Sequence, residues 1–150
     1  MIGIGSNLFP EQNIKDALYF LGKETQIIQK ASIWKTPAVG SDGPDYFNSA
    51  VLVKTDLSLE VLKLNILSVI EDKLGRIRTQ DKYTDRTIDL DILIYDQVEI
   101  DSDLWSQAHV AVPASQITPE FQNQKSGENL SQAARRLLSG TQFQEYSSNS

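Results

Sequence analysis

The run Arg86-Thr87-Ile88-Asp89-Leu90-Asp91-Ile92-Leu93-Ile94 has the alternation of a strand with one face in a core. Successive strand side chains point to opposite faces. Ile88, Leu90, Ile92 and Ile94 therefore share an apolar face, and Asp89 and Asp91 project together from the other. Two neighbouring carboxylates on an otherwise apolar strand repel each other and are costly to bury. A bound divalent cation removes that cost. Arg76-Ile77-Arg78 lies just upstream. Guanidinium groups fork onto phosphate oxygens, so arginines beside such a pair point to a phosphorylated ligand.

Working outward, the best helix precedes this strand. Ser58 is a plausible N-cap with Glu60 in the first turn, and Leu59, Leu62, Ile66, Ile70 and Leu74 make an apolar stripe that Gly75 stops. Residues 76–86 read as a polar loop. Toward the N-terminus, residues 1–5 read as a strand ending in the turn Gly5-Ser6-Asn7. Pro10 starts a helix carried by Ile14, Ala17, Leu18 and Leu21 up to Gly22. Ile27 to Trp34 reads as one strand, the Pro- and Gly-rich stretch from Thr36 to Pro44 as a loop, and Tyr46 to Lys54 as the next strand. Beyond the aspartates, Asp96 to Ser106 is turn-rich with room for a short strand pair. Val110 to Pro113 reads as short and extended, Asn129 to Leu138 as a last helix, and the chain from about residue 141 as a frayed tail.

This order, β-α-β-β-α-β, gives an α+β fold of the ferredoxin-like kind: an antiparallel four-stranded sheet with two helices on one face and a C-terminal helical appendage. The chain's 150 residues suit one domain, residues 1–150. The chain opens directly in a strand-like run, which reads as an N-terminus a few residues short or unusually brief.

Composition narrows the functional classes. Fourteen Lys and Arg against 20 Asp and Glu give a net charge of -6, which opposes general nucleic-acid binding. Yet Lys73, Arg76, Arg78, Lys82 and Arg86 crowd one segment, a local anion-binding signal. With no cysteine, disulfides and thiolate metal sites are excluded, and His109 alone cannot build a His-rich zinc site. No apolar run has membrane-spanning length and no secretory leader is visible, so a cytoplasmic protein is the expectation.

Five ordered blocks carry a resemblance to a known family. They are Gly3-Ile4-Gly5-Ser6-Asn7-Leu8, Trp34-Lys35-Thr36-Pro37-Ala38-Val39-Gly40, Pro44-Asp45-Tyr46-Phe47-Asn48-Ser49-Ala50, Glu71 through Gly75-Arg76-Ile77-Arg78, and Arg86 through Ile92. In order and with matching spacing, they resemble the 6-hydroxymethyl-7,8-dihydropterin pyrophosphokinases of folate synthesis. That resemblance implies transfer of a diphosphate from ATP to the pterin's hydroxymethyl group, with release of AMP. It implies two Mg²⁺ ions held by Asp89 and Asp91, with ATP as co-substrate. Arg76 and Arg86 match catalytic-loop arginines, and Arg78 and Ile92 join them as ATP contacts. Glu71 matches a position that gives the site local support. For the pterin, the resemblance implies Tyr46 over one face, Asn48 on the ring edge, the backbone of Thr36 and Val39, Pro37 stiffening the loop, and Tyr83 helping to cover the ring. The partners implied are these small molecules, with no nucleic acid and no membrane, acting on a monomer.

Two departures stand out. Ala38 replaces a frequent proline. After Ile100 the chain is shorter than the family pattern: a Pro-His segment is missing, Gln107 stands where an arginine is usual, and His109 where a phenylalanine covers the pterin's second face. His109 is planar and can stack in its place, and Trp105 can contribute. These departures keep open the same chemistry on another reduced pterin. Two other classes also stay open: a metal-dependent sugar-nucleotide transferase, which also uses Asp-x-Asp, and a non-catalytic nucleotide- or RNA-binding ferredoxin-like module. The first would normally need a longer chain with a nucleotide-binding α/β domain. The second needs a basic, aromatic sheet face.

Overall fold

The computed structural model describes residues 1–37, 44–75 and 87–147. Strand β1 (Ile2–Ser6) lies inside the sheet. It pairs antiparallel with β4 (Tyr46–Lys54) on one side and β5 (Asp89–Ile92) on the other. β4 also carries β2 (Gln26–Lys30) and β3 (Ile33–Thr36), and β8 (Gln144–Tyr146) closes the far edge against β3. The order is β5-β1-β4-β3-β8, with β2 also on β4. A small hairpin, β6 (Ile94–Tyr95) and β7 (Val98–Glu99), follows β5. The result is an α+β fold on an antiparallel sheet.

Alternation assigns the two faces. Ile2 and Ile4 of β1, Phe47 and Val51 of β4, and Leu90 and Ile92 of β5 enter one core. Helix α1 (Pro10–Glu24) covers that core with Ile14, Ala17 and Leu21. Beside it runs a continuous helix made of α2 (Leu59–Val61), a π-helical turn (Leu62–Leu67) and α3 (Ser68–Lys73). Ala50 and Leu93 point to the other face, into a second core with Leu104, Ala114 and Leu130. Helices α4 (Ala108–Ile117) and α5 (Leu130–Leu138) pack there.

Four differences from the sequence reading have physical causes. The single strand expected over Ile27–Trp34 is broken at Ala31 and Ser32, where the Ser32 N–H leaves the ladder and donates to Gln116 Oε1 of α4 at 3.0 Å. The expected stripe of the long helix shifts by one position: Leu62, Leu67 and Ile70 are buried while Ile66 is only half-buried. A π turn holds one residue more than an α turn, so it moves the inward face from Ile66 to Leu67. Val110–Pro113, read as extended, lies inside α4, where Ala111, Val112, Pro113 and Ala114 are buried. Tertiary burial of the small Ala111 and Ala114 overrides the strand-like Val-Ala-Val pattern and the proline. Finally, the stretch read as a frayed tail contains β8, whose Tyr146 ring packs on Phe47 with centroids 4.7 Å apart.

Readings of helix ends hold among the described residues, whereas the polar loop read over residues 76–86 and most of the loop read from Thr36 to Pro44 lie outside them. Ser58 Oγ accepts from the Val61 N–H, Gly75 ends the long helix with φ at +81°, and Asn129 and Gln132 form a capping box at the start of α5. Among the described residues no helix is long and apolar enough to cross a membrane.

Candidate active site

The sheet face away from α1 is only partly covered by α4 and α5. At its open end lies a cavity of about 560 Å³, within the range of small-ligand sites. β5 forms one wall. Leu90 and Ile92 are anchored in the core, so the pleat turns Asp89 and Asp91 into the cavity on one side of the strand. Asp89 is half-buried and Asp91 exposed. β5 is held from its outer edge as well: the buried Glu71 of α3 accepts the Leu90 N–H through Oε2 at 3.0 Å. That bond fixes the backbone between the two aspartates.

β1 forms the floor. Gly5 pairs with both Asp89 and Asn48, and Gly3 with both Asp91 and Ala50. Two rows of residues thus cross the sheet with glycine in the middle of each. Thr36, Pro37, Tyr46 and Asn48 make the opposite wall. Asn48 is 5% exposed, and its Nδ2 donates to Thr36 Oγ1 at 3.2 Å. That leaves the Thr36 hydroxyl proton, the second Nδ2 hydrogen and Oδ1 to meet a ligand edge that alternates donors and acceptors.

The roof comes from the turn Ser102–Trp105 and the start of α4. Asp101, Asp103, Gln107, His109 and Val110 line it. Asp101 Oδ1 accepts the Asp103 N–H at 2.9 Å and so caps this turn. Burial pushes the His109 pKa below its ordinary value, against the opposing pull of Asp103, Asp89 and Asp101. Its imidazole is therefore neutral at pH 7 and offers a flat face.

The cavity brings together Thr36, Pro37, Tyr46, Asn48, Asp89, Asp91 and His109 from the sequence reading. It does not include the side chain of Ile92, which is packed into the core on the opposite face. Trp105 is also elsewhere, stacked on Phe121 with its Nε1 donating to Glu99. Arg76, Arg78, Arg86, Val39 and Tyr83 lie outside the described residues. The sequence reading overlooked Asp101 and Asp103 as cavity residues, although their i, i+2 spacing repeats that of Asp89 and Asp91. It also overlooked Gly3 and Gly5 as floor.

Among the described residues lining the cavity there are four aspartates and no lysine or arginine. An anionic ligand needs cations there. Asp89 and Asp91 suit a hard, oxygen-binding divalent cation, both being carboxylates on one face, open to the cavity. Among the described residues no three His, Cys, Asp or Glu side chains converge as a metal-holding group. A cation on this pair would need water and ligand oxygens to complete its shell, as Mg²⁺ does at phosphate sites.

Known proteins resemble this chain over most of its length. Residues 1–119 match the family described as 7,8-dihydro-6-hydroxymethylpterin-pyrophosphokinase. A 2-amino-4-hydroxy-6-hydroxymethyldihydropteridine pyrophosphokinase of Synechocystis sp. is 32% identical over 148 residues, covering 91% of this chain and 75% of that protein. The Haemophilus influenzae protein of the same name is 32% identical over 132 residues, covering 80% of this chain and 81% of its own. A mitochondrial folate synthesis bifunctional protein of Pisum sativum is 38% identical over 112 residues, which are 73% of this chain and 21% of that longer one. With the family match spanning most of the molecule, the chain belongs to the 7,8-dihydro-6-hydroxymethylpterin-pyrophosphokinase family.

Proposed function

We propose that this protein transfers the diphosphate of ATP to the hydroxymethyl group of 6-hydroxymethyl-7,8-dihydropterin, releasing AMP, as a step of folate synthesis. The observation that carries the reading is one cavity with a carboxylate pair on one wall and a buried Asn–Thr hydrogen-bonding pair on the other, in a chain of this family. The hydroxymethyl oxygen attacks the β-phosphorus in line. The bond from that phosphorus to the oxygen bridging the α-phosphorus breaks, AMP leaves with that oxygen, and the hydroxyl proton passes to solvent water.

The residues divide the work by position. Thr36 and Asn48 read the pterin edge, Pro37 stiffens the wall beside them, and Tyr46 and His109 cover the ring faces. Asp89 and Asp91 would hold two Mg²⁺ ions, which neutralise phosphate charge and lower the cost of deprotonating the hydroxyl. Arg76, Arg78 and Arg86 grip the nucleotide phosphates, with Ile92 contributing through its backbone, and Arg76 and Arg86 stabilise the transferring group. Arginines in comparable roles contribute roughly 10³–10⁵ in rate. Val39 reads the pterin through its backbone and Tyr83 helps to cover it. Positioning and charge stabilisation dominate such transfers, because the protein does little covalent chemistry.

The same reading takes the fold as ferredoxin-like. Its support is that β2 and β3, counted as one broken strand beside β4, leave the order expected for β-α-β-β-α-β. Helices α4 and α5 then form the C-terminal appendage of a single domain, acting as a cytoplasmic monomer. One specific feature favours a second substrate within the same chemistry: His109, Asp101 and Asp103 in the roof, where the family usually has a phenylalanine and a longer segment. Assaying AMP release from ATP and Mg²⁺ with 6-hydroxymethyl-7,8-dihydropterin, with other reduced pterins, and with none tests both. Release dependent on the hydroxymethyl compound is expected. Release with another pterin alone would move the substrate, and absence of AMP in every arm would end the enzymatic reading.

A further inference from the structure

Gly5 occupies a position whose backbone does not call for glycine. It lies inside β1 and is not among the glycines with positive φ, which are Gly75, Gly127 and Gly140. A glycine in a strand interior weakens the strand, because it loses more chain entropy and packs no side chain. Some other demand must therefore favour it. Building a Cβ there brings one described heavy atom outside its own chain neighbours within 4 Å: Asn48 Oδ1, at 3.2 Å. That is tighter than ordinary van der Waals contact, and one partner would have to yield. The Asn48 amide is poorly placed to do so, being 5% exposed and tied through Nδ2 to Thr36 Oγ1. Rotating the amide away from a new Cβ would break that bond.

The cross-strand row makes the consequence specific. Asn48, Gly5 and Asp89 stand side by side on three adjacent strands, all lining the cavity. With strands about 4.8 Å apart, about 10 Å separates the Asn48 and Asp89 backbones. Nothing but the glycine floor lies between them in that row.

We infer that Gly5 is a positioning residue that determines specificity for the ring substrate: it leaves Asn48 Oδ1 uncovered and keeps the floor flat between the ring-reading amide and the carboxylate pair. The inference deepens the pterin reading and rests on it. Gly22 supplies the control, since a Cβ there would make an ordinary 3.4 Å contact with Ile27, remote from the cavity.

The test is calorimetric titration of 6-hydroxymethyl-7,8-dihydropterin into the protein with Mg²⁺ and a non-hydrolysable ATP analogue, alongside ¹⁵N–¹H spectra of the ligand-free protein. Gly5→Ala should weaken pterin binding about tenfold, the scale of one lost hydrogen bond to a ligand. Affinity for the ATP analogue should stay unchanged, and Gly22→Ala should bind pterin like wild type. In the Asn48→Ala background, Gly5→Ala should cause no further loss. The double variant also relieves the contact and reads the coupling if Gly5→Ala folds poorly. In the free protein, Gly5→Ala should shift the Asn48 side-chain amide signals, identified by their absence in Asn48→Ala. Wild-type pterin affinity in Gly5→Ala, or an equal loss without Asn48, overturns the inference. A wild-type protein that binds no pterin overturns the substrate reading instead. Unmoved Asn48 signals would then overturn the positioning claim on its own.

Discussion

At the scale of single residues, the two aspartates differ in environment although they share a face: Asp89 is half-buried and Asp91 exposed. Neither side chain belongs to a core, so truncating Asp91 should remove function without removing packing. Asp91→Ala should lower turnover by at least about a hundredfold, the scale of losing a metal-held charge, with an unchanged melting temperature. Near-normal turnover in a steady-state assay would remove the metal role. His109 carries two expectations. As a stacking ring, its loss in His109→Ala should weaken pterin binding by about 1 kcal/mol, read by titration; an unmoved affinity removes the stack. As a half-buried imidazole, its folded pKa lies below the ordinary 6.5 because desolvation disfavours its charged form. Between the two values the unfolded chain binds more protons, so stability falls with falling pH over that window. Above 6.5 the contribution is fully present, and it is lost as pH drops through the folded value. Wild type should therefore lose stability relative to His109→Gln between pH 7 and pH 5.5 in urea titrations. Parallel curves would show that the imidazole does not sense its burial.

At the scale of elements, the aspartate strand depends on the helix that precedes it in the chain. Outside the β1 pairing, the Leu90 N–H is met by Glu71. Glu71→Ala leaves that buried donor unmatched, which costs about 1–3 kcal/mol. Glu71→Gln keeps an acceptor and should recover most of the loss, and both effects can be read from denaturation midpoints. Equal losses for the two variants would mean that the charge matters more than the bond. The elements also divide by how plainly the sequence announces them. Alternation over Ile88–Ile92 was sufficient to give β5 its inward and outward faces, but Ile94, read on the same face, packs in the second core with Leu93, because the strand breaks at Leu93 and the alternation does not carry across it. The Ser58 cap and Gly75 stop bounded the long helix. The π turn inside that helix was not legible, because a hydrophobic stripe with Leu62, Ile66 and Ile70 fits an unbroken helix equally well. Nor was α4: Val110-Ala111-Val112-Pro113 is locally strand-like, and only burial against α5 and β4 makes it helical. The site divides the same way. Asn48 came only from the resemblance of its block, whereas Asp89 and Asp91 were readable because a strand dictates direction. Asp101 and Asp103 were not, since a turn gives their side chains no periodic direction.

At the scale of the whole molecule, the cavity wall that carries Asn48 and Thr36 depends on the far end of the chain. Asn48 and Thr36 sit on β4 and β3, and β3 would be an edge strand but for β8. Ile33, Trp34 and Lys35 pair with Tyr146, Glu145 and Gln144, and the Ser32 hydroxyl donates to Glu145 at 2.6 Å. Tyr146 lies on the α1 face: its ring packs on Phe47, the neighbour of Asn48, and its hydroxyl donates to Glu11 of α1. One side chain thus links the last strand, the first helix and the wall of the cavity. Tyr146→Ala should cost about 1–3 kcal/mol, combining a lost aromatic pair with lost apolar burial. A chain ending at Gly140 should lose at least as much, because β3 also loses its ladder partner. The two variants should weaken pterin binding more than ATP-analogue binding, since β8 braces β3 and β4 and makes no strand pairing with the aspartate strand. Urea denaturation with paired titrations of both ligands decides it. Destabilisation with both affinities reduced alike would make β8 a general support of the fold, whereas a selective loss of pterin affinity would tie the end of the chain to substrate recognition.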